Sequence, residues 1–440
     1  MKLIQKYINN ISALQFVQLL RFATLFLVGI VFVRIYSTQQ IGYYETLIFI
    51  AGALSFFWLR GVLQSFLSLV KNKNKAYEHN QSIAYFNGFV ILVLFSVLTV
   101  LFLTLFKNLL SNLLNNSQPV IYFKWLLLYI LFGSPANFIE YIYLGLNKPK
   151  SIISYGIISQ TAQFLMVIVP AVLGYPLEVS IIGLVIINVL RFVWVILILY
   201  KNTFCKLNVA FIKEHLKLAY PLIVSALLSG SAQYIDGFIV THFYDSTMFA
   251  IFRYGARELP IALILANAFS NAMIPEFSSL SLNDAIAKLK RNSSRLMHLL
   301  YPLTILLLII SNWLFPRMFS EEFTLSAKIF NVYLLLIVFR LLFPQTILIG
   351  LRKTNAFLWI AAIEIIINVS LSLVFIQLFG VIGVAYATIV AFSVEKLILV
   401  LLVKKWFSIS LRNYQPVGLW IFYSIFTIIT FIIIDFILFI

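Results

Sequence analysis

Cysteine, histidine and acidic residues are all scarce in this chain of 440 residues, which has 1 Cys, 4 His and 15 Asp plus Glu against 32 Lys plus Arg. A single Cys205 excludes an internal disulfide and any multi-thiolate metal cluster; it falls in a loop expected in the cytosol, where it stays reduced. His79, His215, His242 and His298 are too scattered along the chain for a metal site, so neither a metal nor a cofactor is expected. No glycine-rich phosphate loop ending in Lys-Ser or Lys-Thr is present, so the chain is no ATPase by itself. Charge is scarce too. Only 11% of residues are charged and 62% are hydrophobic, too little charged surface for a soluble protein of this length.

What the chain has in abundance is long apolar segments. A membrane-crossing helix needs roughly 20 mainly apolar residues. Such runs occur near 13–33, 41–69, 82–106, 119–144, 151–173, 179–200, 216–243, 247–280, 297–315, 325–348, 356–378, 381–403 and 417–440. These predict twelve spans and a thirteenth at the C-terminus. Arg21 lies inside the first span, which runs directly into the second, so this segment reads as mature protein and not as a cleaved signal.

A net charge of +17 first suggests a nucleic-acid partner, but its distribution argues otherwise. With the N-terminus placed in the cytosol, 20 basic residues fall in loops on that side. Only Arg34, Lys107, Arg317 and Lys328 fall in loops on the other. This is the positive-inside pattern and sets an expected orientation. The remaining 8 basic residues lie in spans together with 8 acids, so the whole excess sits in the loops. No nucleic acid is needed to explain the balance.

The chain repeats itself at a distance of about 205–208 residues. GLNKPKS at 145–151 matches GLRKTNA at 350–356, and the turn at LGYP (173–176) returns at FGVIG (379–383). YSTQQIGYY at 36–44 falls opposite YDSTMFAIF at 244–252, which sets Glu45 against Arg253 and, in nearly the same register, Arg191 against Lys396. Six spans per half is an even number, so the two lobes, 1–205 and 206–403, are parallel repeats, with 404–440 an additional C-terminal transmembrane helix. Parallel repeats of this kind are a transporter architecture. Pro135, Pro260, Pro275 and Pro344 lie within spans and predict broken helices at membrane depth.

Charges inside a bilayer are costly and have to face protein or water. Lys124, Arg191, Lys396 and Asp435 are expected to be shallow, snorkelling to an interface or pairing locally. In the eighth span, Arg257, Pro260, Ile264, Asn267 and Asn271 lie within about 40° of Arg253 on a helical wheel, forming one polar stripe. Glu258 points to a second surface. Arg21 in the first span and Arg60 in the second lie at similar depth. Arginine offers a fork of donors matched to phosphate oxygens and keeps its charge when buried. A hydrated cavity lined by Arg21, Arg60, Arg253, Arg257, Asn267 and Asn271 would suit an anionic head group. The competing reading is that these arginines pair with Glu45, Asp236 or Glu258 and hold helices together.

RIYSTQQIGYYE after the first span, GLNKPKS after the fourth, AYPLIVSALLSGSAQYIDGFIV in the seventh and NAMIPEFSSL ending the eighth carry a resemblance. Over about residues 8–403 the chain resembles the Wzx-type O-antigen and capsule flippases of the multidrug/oligosaccharidyl-lipid/polysaccharide (MOP) superfamily. The resemblance implies an all-α polytopic fold of two six-helix bundles in a MATE-like V shape, alternating between inward- and outward-open states. It implies a cargo of undecaprenyl-diphosphate-linked oligosaccharide, carried from the cytoplasmic to the periplasmic leaflet of the bacterial inner membrane. Membrane lipids and other polysaccharide-assembly proteins are the partners it implies. Glu45, Asp236, Glu258 and Glu364 become candidates for ion coupling. The family commonly has twelve or fourteen spans, so a thirteenth departs from it. A drug or cation antiporter on the same fold is the alternative, disfavoured by Arg21 in a first span that has no acid. A membrane glycosyltransferase or polymerase is a further alternative, disfavoured by short outer loops at 107–118 and 316–324.

Overall fold

The computed structural model describes residues 10–70, 78–114, 120–203, 205–256, 260–351, 353 and 356–437, and among them every regular element is helical. Among the described residues eleven helices are long and apolar enough to cross a membrane, the last being Val417–Asp435. Two of the thirteen expected spans are not among the eleven. The segment expected at 216–243 is divided between Val209–Gly230 and Ala232–Phe243, and that at 247–280 becomes Ser246–Gly255, Pro260–Met273 and Glu276–Ser279.

Each proline singled out in the sequence marks a break. Pro135 precedes the boundary between Phe123–Ala136 and Phe138–Gly145, and Pro260 opens Pro260–Met273. Pro275 caps Glu276–Ser279, and Pro344 opens Pro344–Gly350 after the short turn Ile337–Arg340. A proline lacks the N–H and its ring clashes with the preceding turn, so the helix ends there.

The chain divides into two compact units, Met1–Ser231 with Tyr244–Thr247, and Ala232–Phe243 with Met248–Ile440. Helix Val209–Gly230, which the repeat register assigns to the second lobe, packs in the first unit along Thr38–Val70. Glycines allow this approach. A Cβ on Gly61 would lie 2.7 Å from the backbone N of Ile223, and one on Gly230 would lie 2.5 Å from the Phe56 ring. Small residues let helix backbones close in this way where no hydrophobic force acts between lipid-bathed helices. His215 adds a polar tie, its Nε2 3.0 Å from the Val62 carbonyl oxygen. Asn87 holds the incoming chain by donating to the Lys206 carbonyl and accepting from the Asn208 N–H.

The core of the first unit is built around Trp58, Phe66, Phe89 and Phe138. That of the second centres on Tyr301, Leu341, Phe343 and Tyr414. Large apolar side chains also face outward, Leu105, Tyr200 and Trp359 being more than three-quarters exposed (79%, 79% and 76%), as a lipid-facing surface requires.

The repeat survives in the turns. Gly145 and Gly350 each end a helix, and the next begins at Pro149 and Ala356. Gly174 (φ 81°) and Gly380 (φ 64°), which match in the repeat, both adopt the left-handed backbone that favours glycine. They join the hairpins Pro149–Val172/Leu177–Asn202 and Ala356–Phe379/Val381–Phe407.

Helix Leu282–Met318 has 37 residues, and its N-terminal third carries Asp284, Lys288, Lys290, Arg291 and Arg295. Ser281 caps it by accepting from the Asp284 N–H. The C-terminal helix is tied to it: Tyr301 Oη lies 2.9 Å from Ser424 Oγ, His298 Nδ1 lies 2.9 Å from Tyr423 Oη, and the Tyr301 and Tyr423 rings stack. Trp420 also donates to the Val338 carbonyl at 2.8 Å.

Candidate functional site

The charges within the spans gather into two clusters, one in each unit. In the first unit, Arg21 on Asn10–Val33 donates from Nη2 to Oε1 of Glu140, on Phe138–Gly145, at 2.6 Å. The Arg21 side chain remains 41% exposed while that of Glu140 is 9% exposed, so the arginine is anchored at one edge and open at another. Tyr141 stands within electrostatic range of Glu140, Arg21 and Arg60. Arg60, on Thr38–Val70, is exposed and makes no ion pair among the described residues. The structure therefore brings Arg21 and Arg60 into one neighbourhood. The partner it gives Arg21 is Glu140, not the Glu45, Asp236 or Glu258 weighed from sequence. Glu45 is buried at 4% exposure near the N-terminal end of Thr38–Val70.

In the second unit, Asp236 on Ala232–Phe243 is buried, at 6% exposure. Its Oδ2 accepts from Tyr333 Oη at 2.5 Å and from Thr388 Oγ1 at 2.6 Å. Thr388 is joined at 3.4 Å by Asn368 Nδ2, and Asn368 Oδ1 accepts from Ser372 at 3.0 Å. Glu364, one turn before Asn368 on Ala356–Phe379, lies within electrostatic range of Glu395, Lys396 and Asp236. Lys396 pairs with Glu395 at 3.4 Å, donates to Gln345 Oε1 at 3.2 Å and stands 4.8 Å above the Phe392 ring. Arg340 also stands over that ring, its guanidinium carbon 5.3 Å from the centroid.

Arg253 is half-buried on Ser246–Gly255. Arg257 and Glu258 lie outside the described residues. Asn267 and Asn271, one turn apart on Pro260–Met273, are both exposed and share a face. The helix that carries Arg253 ends at Gly255, and Asn267 and Asn271 lie on a separate helix, Pro260–Met273, so the wheel angle does not carry across to them.

The expected shallow charges divide. Lys124 is well exposed and pairs with Glu178 at 3.2 Å, and Asp435 accepts from Asn331 at 2.8 Å. Lys396 does pair locally, but in the core, at 5% exposure. Arg191 does not snorkel: its Nη2 donates to the Ser159 carbonyl at 2.9 Å and its Nε is sealed from solvent. Sequence reasoning counted Glu140 and Arg191 among the span charges without giving Glu140 a partner, and passed over Tyr333 and Thr388. Glu140 was visible as a span acid, but its partner lies 119 residues away. The hydroxyls had no charge to draw notice.

Comparison by sequence with curated proteins gives no match. Among solved structures, Lipid II flippase MurJ in an inward closed conformation is similar over 96% of this chain and 91% of that one, at 17% identity and a TM-score of 0.70. An inward-facing multidrug resistance MATE family transporter of the MOP superfamily is similar over 88% of this chain and 97% of that one, at 11% identity and a TM-score of 0.62. A mutant MATE transporter from Vibrio cholerae covers 90% and 96%, at 14% identity and a TM-score of 0.58. These likenesses establish the fold. A model of the family described as polysaccharide biosynthesis protein matches residues 30–328, more than half of the chain. This multi-pass helical membrane protein, with the fold of MurJ and the MATE transporters, belongs to the polysaccharide biosynthesis protein family.

Proposed function

We propose that this chain is a flippase that carries an undecaprenyl-diphosphate-linked oligosaccharide from the cytoplasmic to the periplasmic leaflet of a bacterial inner membrane. The glycan serves cell-surface polysaccharide assembly, of the O-antigen or capsule kind. The observation that carries this reading is the pair of accessible arginines at membrane depth in the first unit. Arg21 is fixed by Glu140 yet open to solvent, and Arg60 is exposed. A guanidinium held at one edge by a carboxylate keeps further N–H donors for a phosphate oxygen. Membership of a polysaccharide biosynthesis family supports a glycan cargo, and the MurJ-like fold supports flipping of a lipid-linked one.

In this reading the diphosphate meets Arg21, Arg60, Arg253 and Arg257, with Asn267 and Asn271 contacting neighbouring polar groups. The sugars cross in the hydrated cavity and the lipid tail stays in the bilayer. Nothing in this task calls for bond-making chemistry, so the proposal is a transporter and not an enzyme. Ion coupling is assigned to Asp236 and Glu364, with Glu45 and Glu258 as further candidates. Asp236 carries a buried charge among hydroxyls and an amide, groups that can solvate either an ion or a proton. The asymmetry of the basic loops supports a cytoplasmic N-terminus.

The acid cluster of the second unit gives cation antiport on the same fold a specific foothold, and one assay separates the two. In proteoliposomes containing the purified protein, a lipid-diphosphate-linked sugar is expected to equilibrate between leaflets, and cationic dyes are not. Export of dyes without flipping of several such lipids overturns the proposal. In cells lacking the native protein, Arg257→Ala is expected to abolish restoration of surface polysaccharide while the protein stays inserted and abundant. Wild-type restoration by that variant removes Arg257 from the site.

A further inference from the structure

The polar core of the first unit holds more positive charge than its own carboxylates balance. Arg191 extends from Leu177–Asn202 to the neighbouring helix Pro149–Val172, donating from Nη2 to the Ser159 carbonyl at 2.9 Å. Its Nη1 makes a longer contact, 3.4 Å, to Oδ1 of Asn188. Both acceptors are neutral. Its Nε has no acceptor among the described residues and no contact with solvent. The nearby ion pair is Arg21–Glu140, and Arg21 is close enough to Arg191 to repel it. Tyr129 and Tyr155 are within electrostatic range of both guanidiniums. Two arginines thus share one carboxylate, Glu140.

Arginine does not lose its proton in a protein, so titration cannot discharge the surplus. A buried ion without a counter-charge is strongly unfavourable, and neutral carbonyls compensate it only in part. We propose that this cluster binds a small inorganic anion of the halide class, seated at Arg191 Nε with the Arg21 guanidinium nearby. The donor inventory favours a single-atom anion over an oxyanion. The outer nitrogens of Arg191 are already engaged by Ser159 and Asn188, and one nitrogen of Arg21 by Glu140. At Arg191 that leaves the lone Nε–H and not the parallel fork that a phosphate takes. The site borders Arg21, which the flippase reading gives to the cargo, but it rests on the buried Arg191 Nε and not on that reading.

Two measurements on the purified full-length protein test it. Crystals grown in bromide are expected to show an anomalous peak beside Arg191 Nε. No peak there, or peaks at exposed side chains alone (an adventitious ion only), overturns the site. Thermal unfolding in detergent is expected to rise in chloride relative to gluconate at equal ionic strength. Arg191→Gln is expected to weaken the half-saturating chloride concentration by roughly tenfold or more, through loss of a charge-assisted hydrogen bond. Glu140→Gln, which raises the surplus, is expected to tighten it. A merely structural role would lower the melting temperature of both variants and leave their chloride response alone, which would count against the proposal. So would stabilisation by phosphate with chloride inert, which assigns the cluster to an oxyanion. Should Arg191→Gln fail to fold, the bromide peak and the chloride response of the wild-type protein decide the matter.

Discussion

The hairpin Pro149–Asn202 of the first unit and the hairpin Ala356–Phe407 of the second share a plan and differ in charge. Both reverse direction at a glycine with positive φ, Gly174 and Gly380. Both cross tightly at a second glycine: a Cβ on Gly183 or on Gly383 would lie 2.1 Å from a carbonyl oxygen of the opposing helix, that of Met166 or Phe375. Matched positions carry Arg191 and Lys396. Yet Arg191 meets a carbonyl and an amide, whereas Lys396 meets Glu395, with Glu364 and Asp236 nearby. The first cluster has cations to spare and the second has acids. Backbone geometry has been kept between the repeats while the side chains diverged, because the turns and crossings tolerate only glycine and the polar positions tolerate whatever finds a partner.

The sharpest way to break this contrast is to remove one carboxylate from each unit. Glu140→Ala leaves Arg191 and the part-exposed Arg21 without a counter-charge and is expected to cost on the order of 3 kcal/mol, held to the low end of buried-pair losses because Arg21 is only partly buried. Glu364→Gln removes one of several acids that crowd each other and is expected to change stability by no more than about 1 kcal/mol, in either direction. Thermal unfolding of both variants in the same detergent decides it, and equal losses would mean that the clusters are electrically alike. Exchanging the matched cations is a finer test. Arg191→Lys loses the fork that spans Ser159 and Asn188 and is expected to cost about 1–2 kcal/mol, whereas Lys396→Arg keeps its pairing with Glu395 and is expected to cost less.

Asp236→Asn tests the function of the acidic side. It preserves an acceptor for Tyr333 or Thr388 while removing the charge. Flipping in proteoliposomes is expected to persist but to lose its response to an imposed ion or proton gradient; a retained response would clear Asp236 of coupling. The turns test the shared backbone. Gly380, with φ 64° and ψ −151°, occupies a region essentially closed to other residues. Gly380→Ala is expected to cost about 1–3 kcal/mol. Gly174 has open space around its missing Cβ, so Gly174→Ala is expected to cost only the backbone penalty, about 1 kcal/mol. A larger loss at Gly174 would show that the two turns are not equivalent.

Apolar length, broken helices and the repeat were legible because each depends on residues near in sequence. Pro135, Pro260, Pro275 and Pro344 announced breaks through a missing N–H, and LGYP and FGVIG announced matched turns. The split of the seventh span after Gly230 was not legible, nor was the placement of Val209–Gly230 with the first unit. Those outcomes depend on Gly61 meeting Ile223, a contact across more than a hundred and fifty residues of chain. The candidate site was read less well for the same reason. Single arginines were recognised, but not that Glu140 anchors Arg21, nor that neutral hydroxyls hold Asp236. The polar stripe from Arg253 to Asn271 assumed one straight helix, whereas Arg253 and the asparagines lie on separate helices, Ser246–Gly255 and Pro260–Met273.

Helix Leu282–Met318 is unbroken despite Pro302 and Pro316, and at 37 residues it reaches about 55 Å, far beyond a hydrocarbon layer of about 30 Å. It therefore extends past the apolar layer, and Lys288, Lys290, Arg291 and Arg295 on its N-terminal part suit the anionic headgroups of a leaflet surface. The hold of that end on the membrane then rises with the negative charge of the leaflet it meets and falls with salt.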